Sequence, residues 1–216
     1  MAPAECTFNT ATLCPHNFCT GLHQTPEHGP STLNPRRHLA LLFPGSSAIV
    51  KYNLNQQEEP KPEVSIRTPY AITCGAIDYD SGLVCTGMRN GGSVVWDNVF
   101  NTSKFALEKH SGGATASVTC CRFVDYPKSE GSAKVYTGAA DGTVHEYELE
   151  GGTLLRVLCQ LRGPVSSLIV TGIPLIIAVD SKSEMRVIVI ESGICVGRLK
   201  VPSPGAECCL SNPPKP

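Results

Sequence analysis

The sequence predicts an all-β repeat protein, and three observations carry that prediction. One phrase recurs: Ile72-Thr73-Cys74, Val118-Thr119-Cys120 and Val165-Ser166-Ser167 begin 46 and 47 residues apart. Self-similarity at a period of roughly 20–50 residues marks one supersecondary unit laid down repeatedly. Two inner segments also align without a gap. Cys85-Thr86-Gly87-Met88-Arg89-Asn90-Gly91 leads to Trp96-Asp97, and Tyr136-Thr137-Gly138-Ala139-Ala140-Asp141-Gly142 leads to Tyr147-Glu148. Each sets an Asn-Gly or Asp-Gly step between β-rich runs, the strongest short hairpin signal because that turn needs positive φ. Finally, no stretch carries the apolar period of a helix.

The units follow in order. Residues 1–38 are rich in Pro, His and Cys with little periodicity, and read as a separate segment or the start of the first unit. Residues 39–70 hold a hairpin over 39–54, a polar loop and an outer strand over 64–70. The second unit spans 71–110, the third 111–158 and the fourth 159–200. Within the third, 127–132 reads as an inserted turn, which explains why Trp96 and Tyr147 are 51 residues apart when Tyr52 and Trp96 are 44 apart. The apolar stretch 168–179 is broken by Thr171, Gly172 and Pro174 and falls short of the about 20 residues of a membrane helix. It reads as two buried strands. Further outer strands are expected at 154–158 and 193–199. Residues 201–216, with Pro, Ser and Cys, read as a disordered tail.

Strand, Asn/Asp-Gly turn, strand and terminal Trp96-Asp97 together resemble the repeats of the WD40 family, over roughly residues 39–200. The resemblance implies β-propeller blades of four antiparallel strands, each covering its neighbour. It places His110, just ahead of Val118-Thr119-Cys120, at the family's Gly-His step. It implies a buried structural hydrogen-bond set of His110, Thr137, Asp141 and Tyr147, with Trp96 as a packing residue. Tyr147 stands where the family has Trp, and Asn90 where it has Asp. Trp96-Asp97 is the single Trp-Asp dipeptide, and Arg162-Gly163-Pro164 lacks the His. Propellers have about 4–8 blades, so four blades lead to the expectation of an incomplete arc. Such an arc would be a truncated isoform or be completed by another protein or a second copy, and the alternative to it is an unusually small ring.

Charge bounds the function. The chain has 18 basic and 19 acidic side chains, for a net charge of −1, which gives no electrostatic reason to expect nucleic acid. The first residues carry no secretory pattern, so an intracellular, cytoplasmic or nuclear, setting is expected, with no membrane. The 11 cysteines then read mostly as small buried hydrophobes. Cys120 and Cys121, neighbours on a strand, point to opposite faces and cannot both serve one core. No nucleophile elbow, P-loop or H-E-x-x-H pattern occurs, so no catalysis and no cofactor are expected. The expected function is a non-catalytic scaffold mediating protein–protein interactions within a larger complex. Its contacts would come from turn residues Arg89, Asn90, Lys128, Lys182 and Glu184. The family's cullin-ligase adaptor subset follows Trp-Asp with a residue and an Arg, whereas Trp96-Asp97-Asn98-Val99 ends in Val.

An alternative rests on Cys6, Cys14, Cys19 and His23. Their C-x7-C-x4-C-x3-H spacing resembles CCCH zinc fingers, and three thiolates with one imidazole suit tetrahedral zinc. Phe8 and Phe18 could stack on bases. The chain would then be an RNA-binding protein with its repeats as a docking module. Gly21 stands where such fingers place an aromatic, and the competing reading is a first-blade strand with incidental thiols.

Overall fold

The structure, a computed structural model, describes residues 20–25, 36–42, 45, 47–53, 62–78, 83–97, 103–111, 116–124, 133–171 and 174–200. These residues form sixteen strands and no helix. Sheet one holds β1 (Thr20–Thr25), β2 (Arg36–Leu42), β3 (Ala48–Asn53) and β4 (Pro62–Arg67). Sheet two holds β5 (Ile72–Asp78), β6 (Leu83–Met88), β7 (Ser93–Asp97) and β8 (Ser103–Leu107). Sheet three holds β9 (Val118–Val124), β10 (Lys134–Ala139), β11 (Thr143–Glu148) and β12 (Leu154–Gln160). Sheet four holds β13 (Val165–Val170), β14 (Leu175–Asp180), β15 (Glu184–Val189) and β16 (Cys195–Lys200). Each sheet is an antiparallel meander in chain order. Sheet one starts at Thr20, inside the segment 1–38 that the sequence leaves open between a separate segment and the start of the first unit. Thr20-Gly21-Leu22-His23-Gln24-Thr25 has one large apolar residue, so it carries no period-2 signal.

Local chemistry sets the inner hairpins. Gly91 and Gly142 take φ of 81° and 84° in the β6–β7 and β10–β11 turns. The matching place in sheet four is Ser183, at φ 70°. That conformation is costly for a residue with a Cβ. It is held by Asp180, whose Oδ1 accepts the backbone N–H of Lys182 at 2.9 Å and of Glu184 at 2.8 Å.

The recurring phrase is where successive sheets meet. In β5, β9 and β13 the register slips at its second residue, which makes Thr73, Thr119 and Ser166 bulge residues. A bulge re-aims its side chain. Thr73 Oγ1 reaches the carbonyl of Gly87 in its own sheet (3.1 Å) and of Val118 in sheet three (2.5 Å). Thr119 repeats this on Gly138 (3.0 Å) and on Val165 of sheet four (2.6 Å). Ser166 Oγ donates to the Val179 carbonyl of its own sheet, at 3.1 Å.

Among the described residues two apolar cores lie between the sheets. Cys74, Cys85, Val95, Val118, Cys121, Val135 and Tyr147 pack between sheets two and three. Cys120, Tyr136, Val144, Val165, Leu168, Ile176 and Ile188 pack between sheets three and four. Cys120 and Cys121 are both buried, and each serves a different core, as strand geometry requires. Cys121 Sγ lies 3.5 Å from Cys74 Sγ across the sheets. Burial lifts the Cys120 thiol to about 12, so it stays protonated and behaves as an apolar group.

The Thr-Gly step permits this close approach. A Cβ on Gly87 would stand 2.5 Å from Val118 Cγ1 and Cys74 Sγ, and one on Gly138 2.6 Å from Val165 Cγ1 and 2.7 Å from Cys120 Sγ. Gly138→Ala should therefore destabilise the fold by about 1–3 kcal/mol through overpacking. Gly151→Ala, whose Cβ meets nothing nearer than 3.6 Å, should change the urea midpoint little. Equal midpoints for the two variants would refute the close approach.

Candidate functional site

The polar centre of the molecule lies between sheets two and three. His110 arrives on the segment after β8 and is 2% exposed. Its Nε2 is 2.7 Å from Thr137 Oγ1 on β10, and its Nδ1 is 2.6 Å from Thr143 Oγ1 on β11. The Thr143 hydroxyl donates to Asp141 Oδ1 at 2.6 Å, and Thr143 N–H donates to the same oxygen at 2.9 Å. A hydroxyl that gives its proton to a carboxylate must accept from the imidazole. His110 is therefore the Nδ1–H tautomer, with Nε2 accepting from Thr137. Asp141 Oδ1 itself stands 3.9 Å from His110 Nδ1, so Thr143 is the link between them.

A second imidazole extends the set. His145 stacks on His110 with ring centres 3.7 Å apart and planes 14° from parallel. His145 Nδ1 lies 3.0 Å from the Tyr147 hydroxyl, which donates to the Glu108 carbonyl at 2.7 Å. Burial, then the neighbouring His145, pushes His110 down to about 4 against the pull of Asp141. Burial likewise lowers His145, opposed by Asp141 and Glu108. Both rings are neutral at pH 7, and the chain of bonds fastens a loop, a turn and two strands.

Of the set implied by the resemblance, the structure joins His110 directly to Thr137, and to Asp141 through Thr143. Tyr147 enters through His145. Trp96 belongs to sheet two, where its Nε1 donates to Thr86 Oγ1 at 2.9 Å. Thr143, His145 and Asp180 escaped the sequence reading. Asp180, 1% exposed, also accepts Gly163 N–H at 3.0 Å through Oδ2. It performs in sheet four the turn-holding task of Asp141. The one available signal was the polar residue closing an apolar strand.

The expected partner contacts lie at one end of sheets two and four. Arg89 is exposed and Asn90 half-buried, with Asn90 Oδ1 accepting Gly92 N–H at 3.2 Å. Lys182 is exposed and donates to the Arg162 carbonyl at 3.2 Å. Glu184 is already engaged by Arg186 at 2.8 Å and Arg162 at 3.5 Å. Lys128 lies outside the described residues. So do Cys6, Cys14 and Cys19, while His23 lies on β1 opposite His38, with its side chain also outside them. Among the described residues no three His, Cys, Asp or Glu side chains are grouped to hold a metal. Among the described residues there is no helix long and apolar enough to cross a membrane.

A buried ion group crosses to sheet four. Glu146, 1% exposed, takes Lys134 Nζ and Arg156 Nε at 2.5 Å each. Arg156 Nη2 continues to the Ile190 carbonyl at 2.5 Å.

No family model matches the chain, and no curated protein sequence does. Solved structures do match, 1179 chains of them, so the strand arrangement is a widely used one. One is the crystal structure of the computationally designed Ika8 protein. It is 18% identical, with a TM-score of 0.61, over 78% of this chain and 47% of that one. The chain thus spans about half the length of that protein, and at this identity the likeness is one of fold.

The histidines give the fold a pH dependence. Their folded pKa lies below the ordinary value near 6.5, so the unfolded chain takes up protons first. Stability is whole above about pH 6.5 and falls toward pH 4, by up to about 1.4 kcal/mol per pH unit for one such group. Urea midpoints between pH 7 and 4.5 should show this fall, and His110→Gln should flatten it. An unchanged slope would mean His110 does not titrate with unfolding. Glu146→Ala, which removes the carboxylate shared by the half-buried Lys134 and Arg156, should cost about 1–3 kcal/mol in the same assay, and a midpoint equal to the parent's would refute the ion group.

Proposed function

We propose that the chain is a non-catalytic scaffold of WD40-type propeller blades that binds other proteins through the turns at one end of its sheets. The observation that carries this reading is the sealing of its most reactive-looking groups. His110, His145 and Asp141 are consumed in tying a loop to a turn, and His110 is neutral and withdrawn from solvent. Among the described residues the turn side chains Arg89 and Lys182 are exposed. Turns on a rigid sheet scaffold are where recognition residues commonly sit. The meander order of each sheet and the meeting of β5 with β9 and of β9 with β13 support radially packed blades.

The test is the double reversal Arg89→Glu with Lys182→Glu, since both side chains are exposed and neither holds a sheet together. Quantitative affinity capture from the source cells should recover a defined set of proteins with the parent chain. Recovery should fall at least about tenfold with the variant, as expected when over 1.4 kcal/mol of binding is lost. The two forms should share one unfolding midpoint. An unchanged capture profile would overturn the turn surface as the site.

A further inference from the structure

We propose that the turn end of sheets two to four docks an extended acidic segment of a partner protein. The proposal rests on the turn-surface reading above and adds the chemistry of the partner.

The charges of the whole chain nearly cancel, at −1, yet they are sorted between the two ends of its sheets. One end gathers the starts of β5, β9 and β13, the β6–β7, β10–β11 and β14–β15 turns, and the ends of β8, β12 and β16. The hydroxyls of Thr73 and Thr119, on the carbonyls of Val118 and Val165, set the three strand starts side by side. Among the described residues at this end, Arg67, Arg89, Lys109, Arg162, Lys182 and Lys200 are exposed, and Glu108 is the one exposed acid. The remaining acids are spent inward. Asp180 is buried on its turn, Asp141 is held by Thr143, and Glu184 by Arg186 and Arg162. At the opposite end the β11–β12 and β15–β16 turns expose Glu150 and Glu191 and no cation.

The cations fall into two groups. Lys109 Nζ stands 5.7 Å from the centre of the Tyr70 ring, and its Cε would meet a Cβ on Gly92 at 3.6 Å. Arg89 N–H donates to the Ala71 carbonyl at 2.9 Å, beside Tyr70. Arg89, Lys109 and Tyr70 therefore share the β6–β7 turn. In sheet four Lys182 Nζ donates to the Arg162 carbonyl at 3.2 Å, and Lys200 lies opposite Glu184. The β10–β11 turn between the groups carries no cation. Packed sheets stand about 10 Å apart, so the groups on sheets two and four are about 20 Å apart, the reach of about six extended residues. An extended chain with carboxylates at both ends of such a span meets both groups with charge-assisted hydrogen bonds. A single-stranded nucleic acid needs aromatic faces for its bases as well. Tyr70, 48% exposed, is the one exposed aromatic at this end among the described residues, and Lys109 already lies over its ring. Carboxylates need only the cations.

Fluorescence anisotropy of a short labelled oligoglutamate, titrated with the purified full chain, tests the proposal. Binding is expected at low salt and should weaken as salt screens the charges. Lys109→Glu with Lys182→Glu, one change in each group, should weaken it at least about tenfold at an unchanged urea midpoint. Lys104→Glu with Arg122→Glu makes the same change of net charge at exposed sites on β8 and β9, away from this end, and should leave the affinity in place. If the first pair does not fold, Arg89→Glu with Arg162→Glu takes its place. No binding of oligoglutamate at low salt, equal losses from the two pairs, or tighter binding of an oligouridylate of the same length would overturn the proposal. Loss of cellular capture without oligoglutamate binding would overturn this chemistry alone. Oligoglutamate binding with unchanged capture would overturn the turn reading alone.

Discussion

A four-stranded sheet that is apolar on both faces cannot rest against water, and the described junctions of this molecule follow from that constraint. Sheet three is covered on both faces, by sheet two and by sheet four, and the cover must come close enough to exclude solvent. Gly87 and Gly138 allow that approach, because a Cβ at either would meet the valine that opens the next sheet. Thr73 and Thr119 then fix its register with a hydroxyl held between two carbonyls. Burial supplies the driving force, and the bulge supplies the alignment. Without the alignment, stacked sheets could slide past one another at little cost in buried area.

Polar groups inside such a stack must be satisfied or the burial gains nothing. Three carboxylates solve the problem differently. Asp180 collects three backbone N–H groups. Asp141 is met by the Thr143 hydroxyl and N–H, with a neutral imidazole behind. Glu146 sits between Lys134 and Arg156, and Arg156 carries the link on to the Ile190 carbonyl. The first two hold turns, where one residue needs positive φ. The third holds two sheets together and leaves the long apolar stems of its cations packed near the interface.

Much of this was legible in the chain before any coordinates. The 46- and 47-residue spacing marked the units, and the Asn-Gly and Asp-Gly steps marked the inner turns, because both signals are local. The opposite burial of Cys120 and Cys121 follows from strand geometry alone. The resemblance pointed to His110, Thr137 and Asp141, but spacing does not disclose that Thr143 stands between histidine and aspartate. Nor does it disclose that His145 stacks on His110, since i and i+35 neighbours are made by tertiary packing. Asp180 was hidden because sheet four moves its turn-holding carboxylate two positions ahead of the place where the other sheets keep Asn or Asp. Strand β1 was missed because its polar composition has no alternation, and its place depends on pairing with β2.

Degeneracy among the repeats gathers in sheet four. Sheets two and three share Thr in the bulge, Gly in the step and Gly at the positive-φ place of the turn, and sheet four has Ser166, Val179 and Ser183 there. Each change has a physical counterpart. Val179 gives up the close approach that Gly87 and Gly138 allow. Ser183 takes positive φ, and Asp180 offsets the cost by accepting the N–H groups of Lys182 and Glu184. The junctions of sheet two with three and of sheet three with four are closed by glycine and by threonine, which set both their spacing and their register.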